Sequence, residues 1–179
     1  NVVGKFVLNI ESTGENLIDG LLITGFDQKS DSLQSIVDEL KKLSGKTSFV
    51  AAKLNGKDFQ SLMSHNADEH FAIGSTFKLY VLAELVRQIS EGKRKWSDVV
   101  ELKQFSLPSG QMQDWENGSP VTLHTLASMM ISVSDNTATD QLIKVLGREN
   151  IEKMLSTAGN SKPEKTRPFL MTSEMFRLK

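Results

Sequence analysis

The chain has 179 residues, of which 39% are hydrophobic and 24% charged, a composition typical of a folded domain with a substantial core. Its 21 Lys and Arg residues nearly balance its 22 Asp and Glu residues, so bulk charge does not favour nucleic acid or an acidic membrane as the partner, and we expect a small molecule or a peptide. Cysteine is absent, which excludes disulfides, thiol catalysis and zinc–thiolate sites.

The N-terminal residues predict a β-hairpin. Residues 5–10 and 17–23 are rich in strand-forming side chains, and the turn-prone segment 12–16 separates them. We assign residues 1–27 to this hairpin and a linker, as a candidate for the end of a preceding domain. Residues 28–179 are then expected to belong to a second domain.

A helix and a second hairpin are predicted next. Apolar side chains recur at helical spacing from Leu33 to Leu43, with Asp31 as the candidate N-cap. Residues 48–63 form the hairpin, because Asn55-Gly56 is a strong turn signal in which both positions tolerate positive φ.

The rest of the chain is predicted to be mostly helical. One helix begins at or near Ser75 and ends at Gly92. Its expected buried side consists of Leu79, Leu82, Leu85, Val86 and Ile89. Short helices are then predicted over about 122–132, 136–146 and 148–157, with stops at Gly147 and Gly159, and a last helical segment begins at Thr172. That segment has no C-terminal cap, so we expect the chain to end inside an element.

Ser75 and Lys78 form a Ser-x-x-Lys pattern at the start of this helix. Their side chains share one helix face, and a lysine that is desolvated or near another cation can lose enough basicity to be neutral part of the time, when it can take the serine proton. A helix N-terminus also offers N–H groups and partial positive charge to an oxyanion. The pattern alone is weak, because an N-capping serine with an exposed lysine has the same letters and Ser90 to Lys93 is a second match.

The tripeptide Ser134-Asp135-Asn136 lies 59 positions (134 − 75) after Ser75, between two predicted helices. Taken alone, it is better explained as a helix cap, since all three residue types are favoured at N-caps. A loop between helices can also present Ser134 and Asn136 into a cleft. The order, separation and helical context of the two motifs together favour a nucleophile with a proton relay.

These motifs resemble those of the serine β-lactamase and penicillin-binding-protein superfamily, and most of all the class A β-lactamases. The similarity covers roughly residues 31–179 and includes residues 68–71, 132–140 and 167–172. It implies an α+β fold of the β-lactamase/transpeptidase type. In such a fold a helical lobe, expected here at about residues 75–179, packs against an antiparallel sheet, which is expected to be incomplete in this chain. The N-terminal β-hairpin is expected in addition to this fold.

The resemblance also implies a role for each motif residue. Ser75 would be the acylated nucleophile, Lys78 its proton-transfer partner and Ser134 the relay to the leaving amine. Asn136 would bind the substrate's side-chain amide, and Asp135 would hold the loop. The chain is thus expected to be a periplasmic or extracellular serine hydrolase that forms an acyl-enzyme with a β-lactam, a D-alanyl peptide or a related amide or ester.

No cofactor and no metal are expected. The histidines, His65, His70 and His124, have no metal-like spacing. No apolar run approaches the roughly 20 residues that a membrane-spanning helix needs.

Two departures from the family pattern affect the expected activity. The family's omega loop carries a glutamate that activates the deacylating water, whereas residues 155–167 contain a single acidic residue, Glu164, too close to Arg167-Pro168 to match it. We interpret Glu164 as a solvated loop charge. An acyl-enzyme is therefore expected to persist, as in a penicillin-binding protein or a slow hydrolase.

The second departure is that the family's third motif, Lys-Thr-Gly, does not occur, which predicts a chain truncated before that strand. The alternative function is accordingly a catalytically silent β-lactamase-like module for binding or sensing, or an inactive fragment. Because a two-stranded hairpin is marginal alone, we also expect pairing with a separate C-terminal piece or self-association through strand edges.

Overall fold

The computed structural model describes residues 2–10, 18–28, 32–56, 58–106 and 109–178. Its contacts divide the chain into two compact units, Asn1–Phe71 and Ala72–Lys179. The domain boundary that the sequence predicts after residue 27 lies within the first of these units and stays a prediction.

The first unit begins with the predicted hairpin. Strand β1 (Val2–Ile10) pairs antiparallel with β2 (Ile18–Gln28), which confirms the two strands and lengthens both. The predicted turn at residues 12–16 lies outside the described residues.

Helix α1 (Leu33–Leu40) follows, and its N-cap is Ser32. The Ser32 and Ser35 side chains each accept from the other residue's backbone N–H, at 3.0 and 2.8 Å, which satisfies two amide groups at the helix start. Asp31, the predicted N-cap, lies outside the described residues. Strands β3 (Phe49–Asn55) and β4 (Asp58–His65) then form the second predicted hairpin, which is confirmed.

The second unit is mainly helical, as predicted. In chain order it contains α2 (Lys78–Ser90), β5 (Val99–Glu101), β6 (Pro120–Thr122), α3 (Leu123–Ser132), α4 (Asn136–Leu146), α5 (Arg148–Thr157) and α6 (Thr172–Arg177). Short 3₁₀ turns occupy Gly74–Phe77, Met112–Asp114 and Pro163–Thr166. The small antiparallel β5–β6 ladder was not anticipated, because three-residue strands carry too little pattern to be recognised.

Helix α4 lies at the centre of this unit. Its buried residues include Asn136 at its start, four further polar side chains, Thr137, Thr139, Asp140 and Gln141, and apolar ones such as Leu142. The polar groups are satisfied by neighbouring backbone: the Gln141 side-chain oxygen, for example, accepts from the amides of residues 103 and 104 at 2.9 and 3.1 Å. Hydrogen bonding of this kind lets a helix be buried on nearly all sides without being apolar on all sides.

The buried face of α2 differs from the predicted one. Leu79 and Val86 are 55% and 46% exposed, so the prediction that they lie on the buried side was wrong. The buried residues are Lys78, Val81, Glu84, Leu85 and Gln88. Hydrophobic periodicity misplaced the face because three polar side chains turn inward and bond there.

Glu84 and Gln88 show how this polar face is stabilised. The Glu84 carboxylate, fully buried, accepts from Arg87 at 2.7 and 2.8 Å and from Gln88 at 2.7 Å. Gln88 also donates to the Leu146 carbonyl at 3.1 Å, so the network ties α2 to the C-terminal end of α4.

We predict that Glu84→Ala lowers the free energy of unfolding by about 2 kcal/mol, because it leaves a buried amide donor and a guanidinium short of an acceptor. Urea denaturation measures the change. Glu91→Ala is the matched control, since Glu91 also pairs with Arg87 but on the exposed side, and it should change stability little. Equal effects of the two substitutions would contradict this account of the α2 face.

Candidate active site

Ser75 lies in the 3₁₀ turn Gly74–Phe77, which leads directly into α2 at Lys78. A 3₁₀ turn has three residues per turn, so side chains at i and i+3 point the same way. The sequence placed Ser75 at or near a helix start, which is confirmed, and its side chain is exposed whereas that of Lys78 is buried.

The ammonium group of Lys78 is held by three acceptors from one short segment. It donates to the Ser134 carbonyl at 2.6 Å, to Ser134 Oγ at 2.9 Å and to Asn136 Oδ1 at 2.8 Å. Lys78 is only 2% exposed, and these bonds use all three of its N–H donors. The structure therefore brings together two sequence motifs 56 or more residues apart.

The electrostatic setting of Lys78 favours loss of its proton. Burial lowers the pKa of its amine from the ordinary value of 10.5, and the negative charges of Asp135 and Asp140 oppose that shift. Among the described residues no carboxylate forms an ion pair with Lys78. The amine is thus stabilised by neutral oxygens at close range and by two carboxylates at longer range.

Ser134 connects Lys78 to Ser75. Its hydroxyl accepts from Lys78 and donates to Ser75 Oγ at 2.9 Å, which forms a continuous hydrogen-bonded chain from amine to serine. Its backbone φ of +56° is in the left-handed region that serine seldom adopts. In this turn, both the carbonyl and the hydroxyl of Ser134 reach Lys78.

Asp135 joins this turn to the preceding loop. Its carboxylate, with no exposed area, accepts from the amides of Gln111 and Met112 at 2.6 and 2.8 Å, and from Ala138 at 2.8 Å as the N-cap of α4. Gly110 has φ of +110°, and an added Cβ there would overlap the Asp135 carboxyl group and lie 2.6 Å from its Cα. This close approach explains why the position is a glycine.

Asp140 was not assigned a role from the sequence, although it lies within the segment that carries the resemblance. It is 1% exposed, and its carboxylate accepts from Thr172 N at 2.6 Å, Thr172 Oγ1 at 2.7 Å and Ser173 N at 3.0 Å. It therefore satisfies the N-terminal amides of α6 and places a second negative charge near Lys78. The sequence did offer one indication of a role for Asp140: it lies one helical turn after Asn136 and therefore on the same face of the predicted helix.

The segment before α6 packs against the turn Gly74–Phe77. The ring of Phe169 is 2% exposed and meets the ring of Phe77 edge to face, with centroids 5.8 Å apart. Its amide donates to Glu152 Oε1 at 2.8 Å. Glu164 lies in the turn Pro163–Thr166 and is exposed, which confirms its interpretation as a solvated charge.

Two of the histidines, His65 and His124, contribute packing and local bonds. His124 contacts the ring of Trp96 at a centroid distance of 6.0 Å, and His65 bonds to Thr47 at 3.3 Å. Within the residues that the structure describes, no group of three His, Cys, Asp or Glu side chains is arranged to hold a metal ion. No described helix is both long and apolar enough to cross a membrane.

Comparison with known proteins relates this geometry to a family. A family model described as the β-lactamase enzyme family matches residues 29–178. The β-lactamase CTX-M-97 of Escherichia coli is 28% identical over 146 residues, which are 81% of this chain and 48% of that protein. Toho-1, also of Escherichia coli, is 31% identical over 120 residues, 66% of this chain and 40% of that protein. The chain spans about half the length of the curated relatives it matches or less.

Comparison with solved structures supports the same fold type. An ancestral class A β-lactamase has 25% identity and a TM-score of 0.60, with 73% of this chain and 50% of that one covered. PBP-A has 21% identity and a TM-score of 0.60 over 72% of this chain and 49% of its own, a likeness that shows the fold alone. The α+β fold of the β-lactamase/transpeptidase type is thereby confirmed.

We predict that Asp140→Asn lowers the pKa of the Lys78 amine further, because the negative charge of Asp140 opposes the effect of burial. An NMR titration of the Lys78 Cε resonance measures the midpoint. Asp114→Asn, which removes an exposed carboxylate, is the control and should leave the midpoint unchanged. A midpoint that stays the same or rises in Asp140→Asn would contradict the predicted direction.

Proposed function

Since the chain belongs to the β-lactamase enzyme family, we propose that it is a serine hydrolase that forms an acyl-enzyme on Ser75. Its substrate is a β-lactam, a D-alanyl peptide or a related amide or ester. The observation that carries the proposal is the hydrogen-bonded chain from Lys78 through Ser134 to Ser75. A serine hydroxyl needs a base to become a nucleophile, and this chain leads to one whose pKa is lowered.

Acylation begins with the charge state of Lys78. In its charged form Lys78 donates to Ser134, which donates to Ser75, so no base faces the Ser75 proton. When Lys78 is neutral the direction reverses: Ser75 gives its proton to Ser134 Oγ, and Ser134 gives its own proton to the amine. Lowering the pKa of Lys78 raises the population of this reactive state at neutral pH.

The bond changes then follow from the same three groups. Ser75 Oγ bonds to the substrate carbonyl carbon, and the carbonyl oxygen takes the negative charge. When this intermediate collapses, the bond from carbon to the leaving nitrogen or oxygen breaks. Ser134 protonates the leaving atom and regains a proton from Lys78, which returns to its neutral form. The relay thus serves both halves of the acylation step.

Asn136 is proposed to contact the substrate. The family resemblance supports this role, and the bond from Lys78 to Asn136 Oδ1 holds the side chain beside the proposed proton relay. Asp135 is proposed to hold the loop, because its carboxylate bonds three amides from two segments. Neither residue takes part in proton transfer in this scheme.

Deacylation is proposed to be slow. Hydrolysis of the ester on Ser75 needs a base for the attacking water, and Glu164 is the single acidic residue of the segment 155–167. Glu164 is exposed, an environment that supports a solvated charge rather than a catalytic base. The acyl-enzyme therefore accumulates, as it does in a slow hydrolase or a penicillin-binding protein.

We predict that a fluorescent penicillin adds its mass to Ser75 and that the adduct persists after excess reagent is removed. Mass spectrometry of the intact chain and its peptides measures both. Ser75→Ala should abolish labelling, whereas Ser90→Ala, in the second Ser-x-x-Lys match, should label like the parent chain. No adduct on the parent chain would instead favour a catalytically silent module for binding or sensing.

The family resemblance supports a periplasmic or extracellular location, which fractionation of the source cells checks.

We also propose that the chain associates through its small sheets. In the described part of the chain β3 and β4 pair only with each other, and they expose the apolar side chains Val50, Leu54, Phe59 and Leu62. Open strand edges beside apolar residues favour addition of a strand from another polypeptide.

We predict that light scattering detects a species larger than the monomer whose population rises with concentration. Phe59→Lys should weaken this association because it places a charge on an exposed apolar position. Gln60→Lys, the control at the next position, adds the same charge without removing apolar surface. A stable monomer at every concentration, or equal effects of both variants, would contradict association through this sheet.

A further inference from the structure

Ser109 lies beside the Ser134 turn in an unusual backbone conformation. Its φ is +85°, and that of Ser134, which it contacts, is +56°. Positive φ is uncommon for residues other than glycine, and such conformations cluster at functional sites. Two serines in this state, 25 positions apart in sequence and bonded to each other, therefore need an explanation.

Two hydrogen bonds join Ser109 to the turn that contains Ser134. The Ser109 hydroxyl donates to the Ser134 carbonyl at 3.1 Å, and the Ser109 carbonyl accepts from the Asn136 amide at 3.0 Å. The Ser134 carbonyl is the same oxygen that accepts from Lys78 at 2.6 Å. Ser109 and Lys78 therefore both donate to the Ser134 carbonyl. Ser109 lies two positions before Gln111, whose amide donates to Asp135, so the same loop is bonded to both Ser134 and Asp135.

The side chain of Ser109 accounts for the choice of residue. A glycine would adopt φ of +85° without steric cost, and the next position, with φ of +110°, is indeed a glycine, Gly110. An ordinary exposed loop serine bonds to water or to a backbone group within a few residues. The hydroxyl of Ser109 instead donates to the carbonyl of Ser134, 25 positions away in sequence, and this carbonyl also accepts from Lys78, the proposed base.

We infer that Ser109 is a positioning residue for acyl transfer, because its hydroxyl holds the left-handed turn that presents the Ser134 carbonyl and hydroxyl to Lys78. This inference rests on the proposed function for its kinetic consequence. Ser109 does not exchange protons with the substrate. It fixes the distance between the relay and the base, and small displacements of a relay lower the rate of the step that uses it.

The test compares Ser109→Ala and Ser109→Gly in the full chain. Alanine removes the hydroxyl and keeps the cost of positive φ, whereas glycine removes the hydroxyl and relieves that cost. With a fluorescent penicillin, both variants should lower the limiting acylation rate about tenfold, the effect of losing roughly one hydrogen bond, and leave the half-saturating concentration unchanged. Ser132→Ala is the control, since its hydroxyl donates to the Ser128 carbonyl at 2.7 Å within α3.

A second measurement does not depend on turnover. Nitrogen-15 NMR follows the exchange of the Lys78 ammonium protons with water, which should accelerate several-fold in both Ser109 variants and not in the control. If the parent chain is not acylated, the proposed function fails, while faster exchange still supports the positioning role and unchanged exchange overturns it. A Ser109→Gly variant that acylates and exchanges like the parent chain also overturns it, because the backbone turn alone would then suffice.

Discussion

The buried ammonium group of Lys78 is the constraint on which the second unit depends. A lysine 2% exposed with no carboxylate in ion-pair contact among the described residues must be stabilised by hydrogen bonds. Three oxygens supply them, and all three come from Ser134 and Asn136. The left-handed backbone at Ser134 and the start of α4 at Asn136 are the local features that bring these oxygens to one point.

The surrounding carboxylates are arranged so that they influence Lys78 without pairing with it. Asp135 and Asp140 are both buried, and each accepts hydrogen bonds from backbone amides at the start of a helix or in the neighbouring loop. They raise the pKa of the amine while burial lowers it, and burial is the larger influence. A direct ion pair would favour the charged amine, so this separation is what allows burial to lower its pKa.

Sequence reasoning recovered the two hairpins, the main helices and the pairing of the two motifs. Helices α3, α4 and α5 were predictable because their apolar spacing is regular, and glycines follow α4 and α5. The pairing of Ser75 with Ser134 was predictable because the two motifs are specific in combination. The buried face of α2 was not, since Lys78, Glu84 and Gln88 face inward where hydropathy places leucine and valine. Periodicity cannot show that a polar side chain will find partners in the fold.

Ser109 and Asp140 were missed for a related reason. Their contacts join segments 25 and 32 positions apart, and each residue type alone is common in loops and helices.

The measurement that tests the central claim most directly is the pH dependence of Ser75 acylation alongside the NMR titration of Lys78 in the same chain. The account predicts that the rate rises with pH and that both midpoints coincide below 10.5, the ordinary lysine value. A rate that is indifferent to the titration of Lys78, or a Lys78 midpoint at or above that value, would contradict it.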